Sequence, residues 1–438
     1  MKARLLPLYF KSGMDAEFSG QLKTISAQLT KEAEFLAPVE LGKSLPEADA
    51  IVFPQLIGDA FRQMDQILAI DKPFLVLTSE FCTVAMWDWE IVSLLKARGA
   101  HVFTPYTLEQ AKTICAALGA RSQLKDTKFI VFQDDPGEGM QASIFKRFYW
   151  WEESCSAAMK KRFGVDIEKR SFKKLGADAR LFSDAEADAV IREKKLSDQE
   201  TSCKPLRSAA KMYLAVKREI GGDTRIRGAG INCLNESMYS DTTPCLAWDL
   251  LFKESGLLWS CEADTMTLLT EYIMHESIGG PVMMSNIYPF LMGQAALKHE
   301  KIAAFPTVEH PENHALIVHC GYFGIVCSAH ASAWKLRPKV LSIVDDNAIA
   351  IDAELPIGPV TLTKLDPLLQ KLQVIPGEIV SYAGYPGSDC RNGAVVRVRD
   401  GRALMNSLYS HHQCFTTGDK SLELDLTAKA FGLETQLL

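Results

Sequence analysis

Five short apolar runs, at residues 4–10, 50–54, 74–78, 101–105 and 129–132, are separated by segments with helical spacing of apolar positions. The runs are rich in Val, Ile, Leu and Phe, as strands buried on both faces are. The intervening segments 60–70, 83–98 and 108–120 predict helices, and Lys72-Pro73 and Arg98-Gly99 mark the returns. Strand alternating with helix predicts a parallel α/β sheet. A longer helical zone is expected from residue 145 to about residue 217. It opens on Phe148-Tyr149-Trp150-Trp151, which reads as packing or a subunit contact, and includes a polar, exposed helix over 184–198. The α/β pattern returns over 224–260, with a strand at 228–233 and a helix at 245–254. Beyond about residue 306 strands are expected at 314–329, 340–352, 360–365, 378–383 and 394–399. Turn signals at Pro356-Ile357-Gly358, Pro376-Gly377, Tyr385-Pro386-Gly387 and Asp400-Gly401 separate them. An amphipathic helix over 422–431, ended by Gly432, closes the chain. The expected architecture is α/β: an N-terminal α/β domain (1–165), a second Rossmann-like α/β domain (166–305) and a β-rich C-terminal domain (306–438).

Composition narrows the function. The chain has 438 residues, 47% hydrophobic and 23% charged, the balance of a globular protein with several cores. A net charge of −6 with both signs mixed gives no reason to expect nucleic acid or an anionic membrane as partner. The basic stretch from Lys160 to Lys174 reads as a solvated helix face. Eleven cysteines, an odd number without C-x-x-C pairs, fit reduced thiols, and with no signal-like segment they predict a cytoplasmic protein. Neither G-x-G-x-x-G after the first strand nor G-x-x-x-x-G-K-[ST] occurs, so the first domain lacks the usual phosphate cradle.

Two stretches carry candidate chemistry. Ser260-Cys261-Glu262-Ala263-Asp264 places two carboxylates where an apolar strand runs into an apolar helix. His411-His412 places two imidazoles on an expected late strand. If they converge, a carboxylate and an imidazole make a hard-metal site with a built-in base. Asp264 also reads as a helix cap. If residues 411 and 412 both belong to the strand, one must point away, because strand side chains alternate. Glu236 and Asp241 lie on a loop after a strand, a common place for substrate contacts.

The order of elements, the C-E-x-D stretch, the turn Pro281-Val282-Met283-Met284-Ser285-Asn286, His319-Cys320-Gly321 and His411-His412-Gln413-Cys414-Phe415 resemble the L-fucose isomerase and L-arabinose isomerase superfamily. The resemblance covers nearly the whole chain. It implies an aldose–ketose isomerase of carbohydrate metabolism that holds Mn²⁺ or another divalent metal on acids and histidines, against two oxygens of an open-chain sugar. On that pattern the metal ligands fall on Glu262, Asn286, His319 and one of His411 and His412, with His412 the better match. Glu262 and Asp264 are the proton-transfer candidates, and His411, Glu236 and Asp241 the substrate contacts. The resemblance also implies a trimer or hexamer in which the first domain of one subunit helps close the site of another. Asn286 or Ser285 stands where the family has an acid, and an amide cannot serve as a base. That departure leaves a second reading open, a sugar-binding or regulatory homologue without turnover. Cys261, Cys320 and Cys414 read as small core residues behind the site.

Overall fold

The structure, a computed structural model, describes residues 2–10, 13–55, 57–77, 88–134, 148–196, 203–233, 235–289, 307–319, 327–338, 348–383 and 393–438. Parts of the strands expected at 314–329 and 340–352, Cys320-Gly321 and the turn at 385–387 lie outside the described residues. The chain divides into two units. One is Met1–Lys125 with Glu276–Gly279 and Leu422–Leu433; the other is Asp126–His275 with Gly280–Ser421 and Glu434–Leu438.

In the first unit β1 (Ala3–Tyr9), β2 (Ala33–Phe35), β3 (Val39–Glu40), β4 (Ala50–Phe53), β5 (Phe74–Val76) and β6 (Val102–Phe103) form a parallel sheet. The order is β2-β1-β4-β5-β6, with β3 also pairing β1. Every residue of β4 is at most 1% exposed, as its unbroken apolar run requires of a strand covered on both faces.

The second unit begins with a second parallel sheet, β7 (Lys128–Phe132), β8 (Asp166–Arg170), β9 (Ile226–Ile231) and β10 (Leu258–Cys261), in the order β10-β9-β7-β8. Strand β8 corrects the expectation of continuous helix over 145–217. Its sequence, Asp-Ile-Glu-Lys-Arg, lacks an apolar run because it is an edge strand, where charged side chains are tolerated and block further pairing.

The β-rich part is a closed barrel. Strands β11 (Met283–Pro289), β12 (His314–Val318), β15 (Gly358–Leu365), β16 (Lys371–Ala383), β17 (Gly393–Val398) and β18 (His412–Thr417) follow the order β15-β18-β11-β12-β17-β16, all antiparallel, and β16 pairs back to β15. A two-stranded sheet of β13 (Ala333–Pro338) and β14 (Ile349–Glu354) and a final strand β19 (Glu434–Leu437), parallel to β16, complete the strands described. Two local expectations change. Pro376-Gly377 is not a turn but lies inside β16. Gly377 is needed there because a Cβ would stand 2.7 Å from Val396 Cγ1 and 3.0 Å from the Arg397 carbonyl oxygen. The β15–β16 turn instead rests on Asp366, whose Oδ1 accepts from the backbone N–H of Gln370 (2.5 Å) and Lys371 (2.6 Å). The 281–286 segment, expected as a turn, is largely the start of β11.

Gly176 sits inside the helix Phe172–Leu181, where helix propensity alone favours Ala by about 1 kcal/mol. A Cβ there would stand 1.9 Å from the Tyr239 carbonyl oxygen, a backbone atom of the loop that follows β9. The clash outweighs the propensity gain. Gly176→Ala is expected to lower stability by about 1–3 kcal/mol, read as a lower urea midpoint at unchanged slope. A midpoint at or above wild type would contradict this packing.

Candidate metal centre

The site starts where β10 ends. Glu262 and Ala263 have φ of 54° and 47°, a left-handed pair that costs non-glycine residues roughly 1–2 kcal/mol each. Hydrogen bonds hold this turn. The Ala263 N–H donates to the Ile231 carbonyl (3.0 Å) and the Asp264 N–H to the Cys261 carbonyl (3.0 Å). The Glu262 carbonyl accepts from the indole N–H of Trp151 at 2.7 Å and of Trp150 at 3.4 Å. Thr265 Oγ1 donates to the Trp150 carbonyl at 3.0 Å. The helix Thr265–Ile278 follows, and Asp264 caps it by accepting from the Thr267 N–H at 2.8 Å.

Asp264 does more than cap. Its carboxylate, 0% exposed, also accepts from Thr267 Oγ1 (2.7 Å), from Lys364 Nζ (3.0 Å) and from His412 Nδ1 (2.7 Å). Lys364 is itself 0% exposed and donates to Thr267 Oγ1 as well. With Nδ1–H given to Asp264, His412 turns Nε2 toward Glu262, whose Oε2 is 3.7 Å away. A carboxylate that fixes the ring orientation of a histidine is the usual outer partner of a metal-binding imidazole.

His411 precedes the first residue of β18, so strand alternation does not separate it from His412. The two rings lie 4.0 Å apart between centroids. Ligand atoms of Glu262, His411 and His412 all fall within 4.8 Å of one another. Asn286 is the antiparallel partner of His412 in the β11–β18 pair, which puts the two side chains on one face of the barrel wall. Asn286 Oδ1 is buried without a hydrogen-bond partner among the described residues, as is Glu262 Oε2. One carboxylate, two imidazoles and an adjacent amide oxygen suit a divalent metal of the Mn²⁺ to Zn²⁺ series, and these orphaned oxygens fit that use.

Charge is balanced within the cluster. Burial pushes the Glu262 and Asp264 carboxyls up. For Glu262 the neighbouring His412 overrides this, and for Asp264 Lys364 and then His412 do, so both lie below their ordinary values. Burial pushes His412 down, but Glu262 and Asp264 outweigh it and raise the imidazole to about 9. His411, half-buried and beside a charged His412, is pushed down to about 3 and is neutral at pH 7. His411 therefore offers a lone pair directly, whereas a metal on Nε2 of His412 must displace a proton.

An aromatic wall stands against the imidazoles. Phe148 and Trp150 stack at 4.3 Å, Trp150 is 5.5 Å from the His412 ring, and Phe148 is 5.9 Å from that of His411. Other residues singled out from the sequence are not among the side chains whose ligand atoms converge. His319 is 4% exposed, with its ring 6.1 Å from and perpendicular to that of Trp259, and it is not one of the side chains whose ligand atoms converge. Asp241 is engaged by Arg180 at 2.8–3.2 Å. Glu236, fully buried, accepts from the Asp134 N–H. Cys261 and Cys414 are buried, the Cys414 thiol donating to the Thr267 carbonyl at 3.5 Å. Lys364 and the tryptophan pair were not singled out as site residues. The one sequence signal for Lys364 is a charge inside the otherwise apolar and Thr-rich strand at 358–365.

The chain matches no model of a known protein family and none of the characterised proteins with which it was compared. No helix among the described residues is long and apolar enough to cross a membrane.

Two measurements probe this electrostatic core. Lys364→Met leaves the buried Asp264 carboxylate without its ammonium partner and is expected to cost about 3–5 kcal/mol. Adding Asp264→Asn should recover part of that loss in a double-mutant cycle, and strictly additive losses would contradict the pairing. Glu271, on the same helix, is fully buried, with Oε2 accepting from the Trp259 N–H at 3.3 Å and Oε1 lacking a partner among the described residues. Burial raises its carboxyl well above the ordinary value of 4.5. The folded state thus keeps a proton that the unfolded chain releases, so Glu271 makes stability fall as pH rises above about 4.5. Glu271→Gln should remove this slope, and its advantage over wild type should grow with pH in chemical denaturation curves between pH 5 and pH 8.

Proposed function

We propose that this protein is a divalent-metal-dependent isomerase interconverting an aldose and its ketose, with Glu262, His411 and His412 holding the ion and Asn286 beside it. The observation that carries the reading is the convergence of these three side chains within 4.8 Å, from segments about 150 residues apart, with His412 oriented by a buried Asp264. The resemblance to the fucose and arabinose isomerases supports it, and Mn²⁺ is the ion that resemblance implies.

Moving hydrogen between C1 and C2 of an open-chain sugar needs an electrophile on the two oxygens and a group that takes and returns a proton. The bound ion would supply the first. For the second, Glu262 is the available carboxylate: it is ionised, and Oε2 lies beyond hydrogen-bond length from His412. Asp264, with four donors on its two oxygens, keeps His412 in one tautomer and orientation. The stacked Phe148 and Trp150 give the sugar's C–H face an apolar surface and keep water from the reacting carbons.

A second reading has its own observation. Asn286 cannot exchange protons, and Asp264 is saturated, so the site offers one usable carboxylate rather than two. A sugar-binding homologue without turnover would be built this way.

Metal content and an aldopentose and deoxyhexose panel with added Mn²⁺ test both readings. Wild type is expected to hold one divalent ion per chain and to form ketose. Glu262→Gln preserves size, and it is expected to weaken metal binding about tenfold or more and to abolish turnover, with circular dichroism unchanged. Equal metal affinity in the variant would overturn the site. Metal and sugar binding without turnover would select the second reading.

A further inference from the structure

Asn232 is a buried amide whose backbone is fully used and whose side chain is not. It follows Ile231, which pairs with Cys261 of β10 and Phe132 of β7, so it stands at the carboxyl end of the sheet beside Glu262. Its N–H donates to the Phe132 carbonyl at 3.0 Å, and its carbonyl accepts from the Glu236 N–H at 3.1 Å. The residue is 0% exposed, and neither Nδ2 nor Oδ1 has a hydrogen-bond partner among the described residues. Leucine has nearly the same shape and would avoid the cost of burying two unpaired polar atoms.

Its place in the sheet points to a ligand. The chain runs from β7 to β8 on one side and from β9 to β10 on the other, so the strand order reverses between β7 and β9. Ligands of open parallel sheets bind beyond the strand ends at such a reversal. Asn232 directly follows β9, two residues after Gly230. A Cβ on Gly230 would stand 3.3 Å from Ala263 Cα, so the Glu262–Ala263 turn lies against this end of β9.

We propose that Asn232 determines specificity at this site by recognising a vicinal diol of the substrate: Nδ2–H donates to one hydroxyl, and Oδ1 accepts from its neighbour. An amide presents one donor and one acceptor side by side, and adjacent hydroxyls offer the complementary pair. A site built to pair with hydroxyls rejects analogues that misplace them, because its own polar atoms are then left buried and unsatisfied. The proposal rests on the sugar-binding reading above.

The test uses the full chain loaded with Mn²⁺ and unreactive alditols (ribitol, xylitol and arabinitol), with affinities from titration calorimetry. Wild type is expected to bind and to discriminate among these stereoisomers. Asn232→Leu is expected to weaken the preferred alditol at least about tenfold and to flatten the discrimination. It should leave metal stoichiometry unchanged and melt no lower than wild type without sugar. Asn232→Ala, which adds no bulk, carries the same test if the leucine does not fold. Alditol affinity and discrimination equal to wild type would overturn the role of Asn232 while leaving the sugar-binding reading intact. Variants that both melt far below wild type would show that the amide serves the fold instead. Absence of alditol binding by metal-loaded wild type would overturn the sugar-binding reading itself.

Discussion

The second unit depends on one buried carboxylate. Asp264 joins the start of a helix to two barrel strands, through Lys364 on β15 and His412 on β18, at sequence separations of 100 and 148 residues. Each donor alone would be an expensive charge to bury. Together with Glu262 they form a cluster of two carboxylates, an ammonium and an imidazolium. Such a cluster is tolerable only when every member is in place, which ties the barrel register to the sheet-end turn.

The same cluster explains why a strained turn persists. Two consecutive left-handed non-glycine residues survive at 262 and 263 because backbone hydrogen bonds and two indoles hold the turn. The strain lifts the Glu262 side chain off the strand end toward His411 and His412. Strand end, helix cap and barrel wall are therefore one construction. The tryptophans serve it twice, by holding the Glu262 carbonyl and, in Trp150, by standing against the His412 ring.

Electrostatics give the two histidines different states. His412, between two carboxylates, holds a proton, while His411, half-buried beside it, does not. An incoming divalent cation finds one imidazole ready and another that must first give up its proton. That difference would make occupancy of the centre sensitive to pH.

Periodicity was enough to read the α/β class, several strands of both parallel sheets and the β-rich C-terminal part, because burial along a strand or helix is written every second or every third to fourth position. It failed at β8, whose edge position removes the apolar run, and at Gly377, where a glycine serves close strand packing inside β16 rather than a turn. The acids at 262 and 264 and the histidine pair could be singled out as residue types suited to metal chemistry. Their convergence, the shared orientation of both imidazoles and the saturation of Asp264 came from the folded chain. Lys364 and Asn232 were hidden for the same reason. A lysine in a strand or an asparagine after one is ordinary in sequence, and becomes meaningful only when folding removes its water and supplies, or withholds, a partner. Local spacing reports which face is buried; which polar groups meet there depends on strand register and barrel closure, and those only the tertiary structure decides.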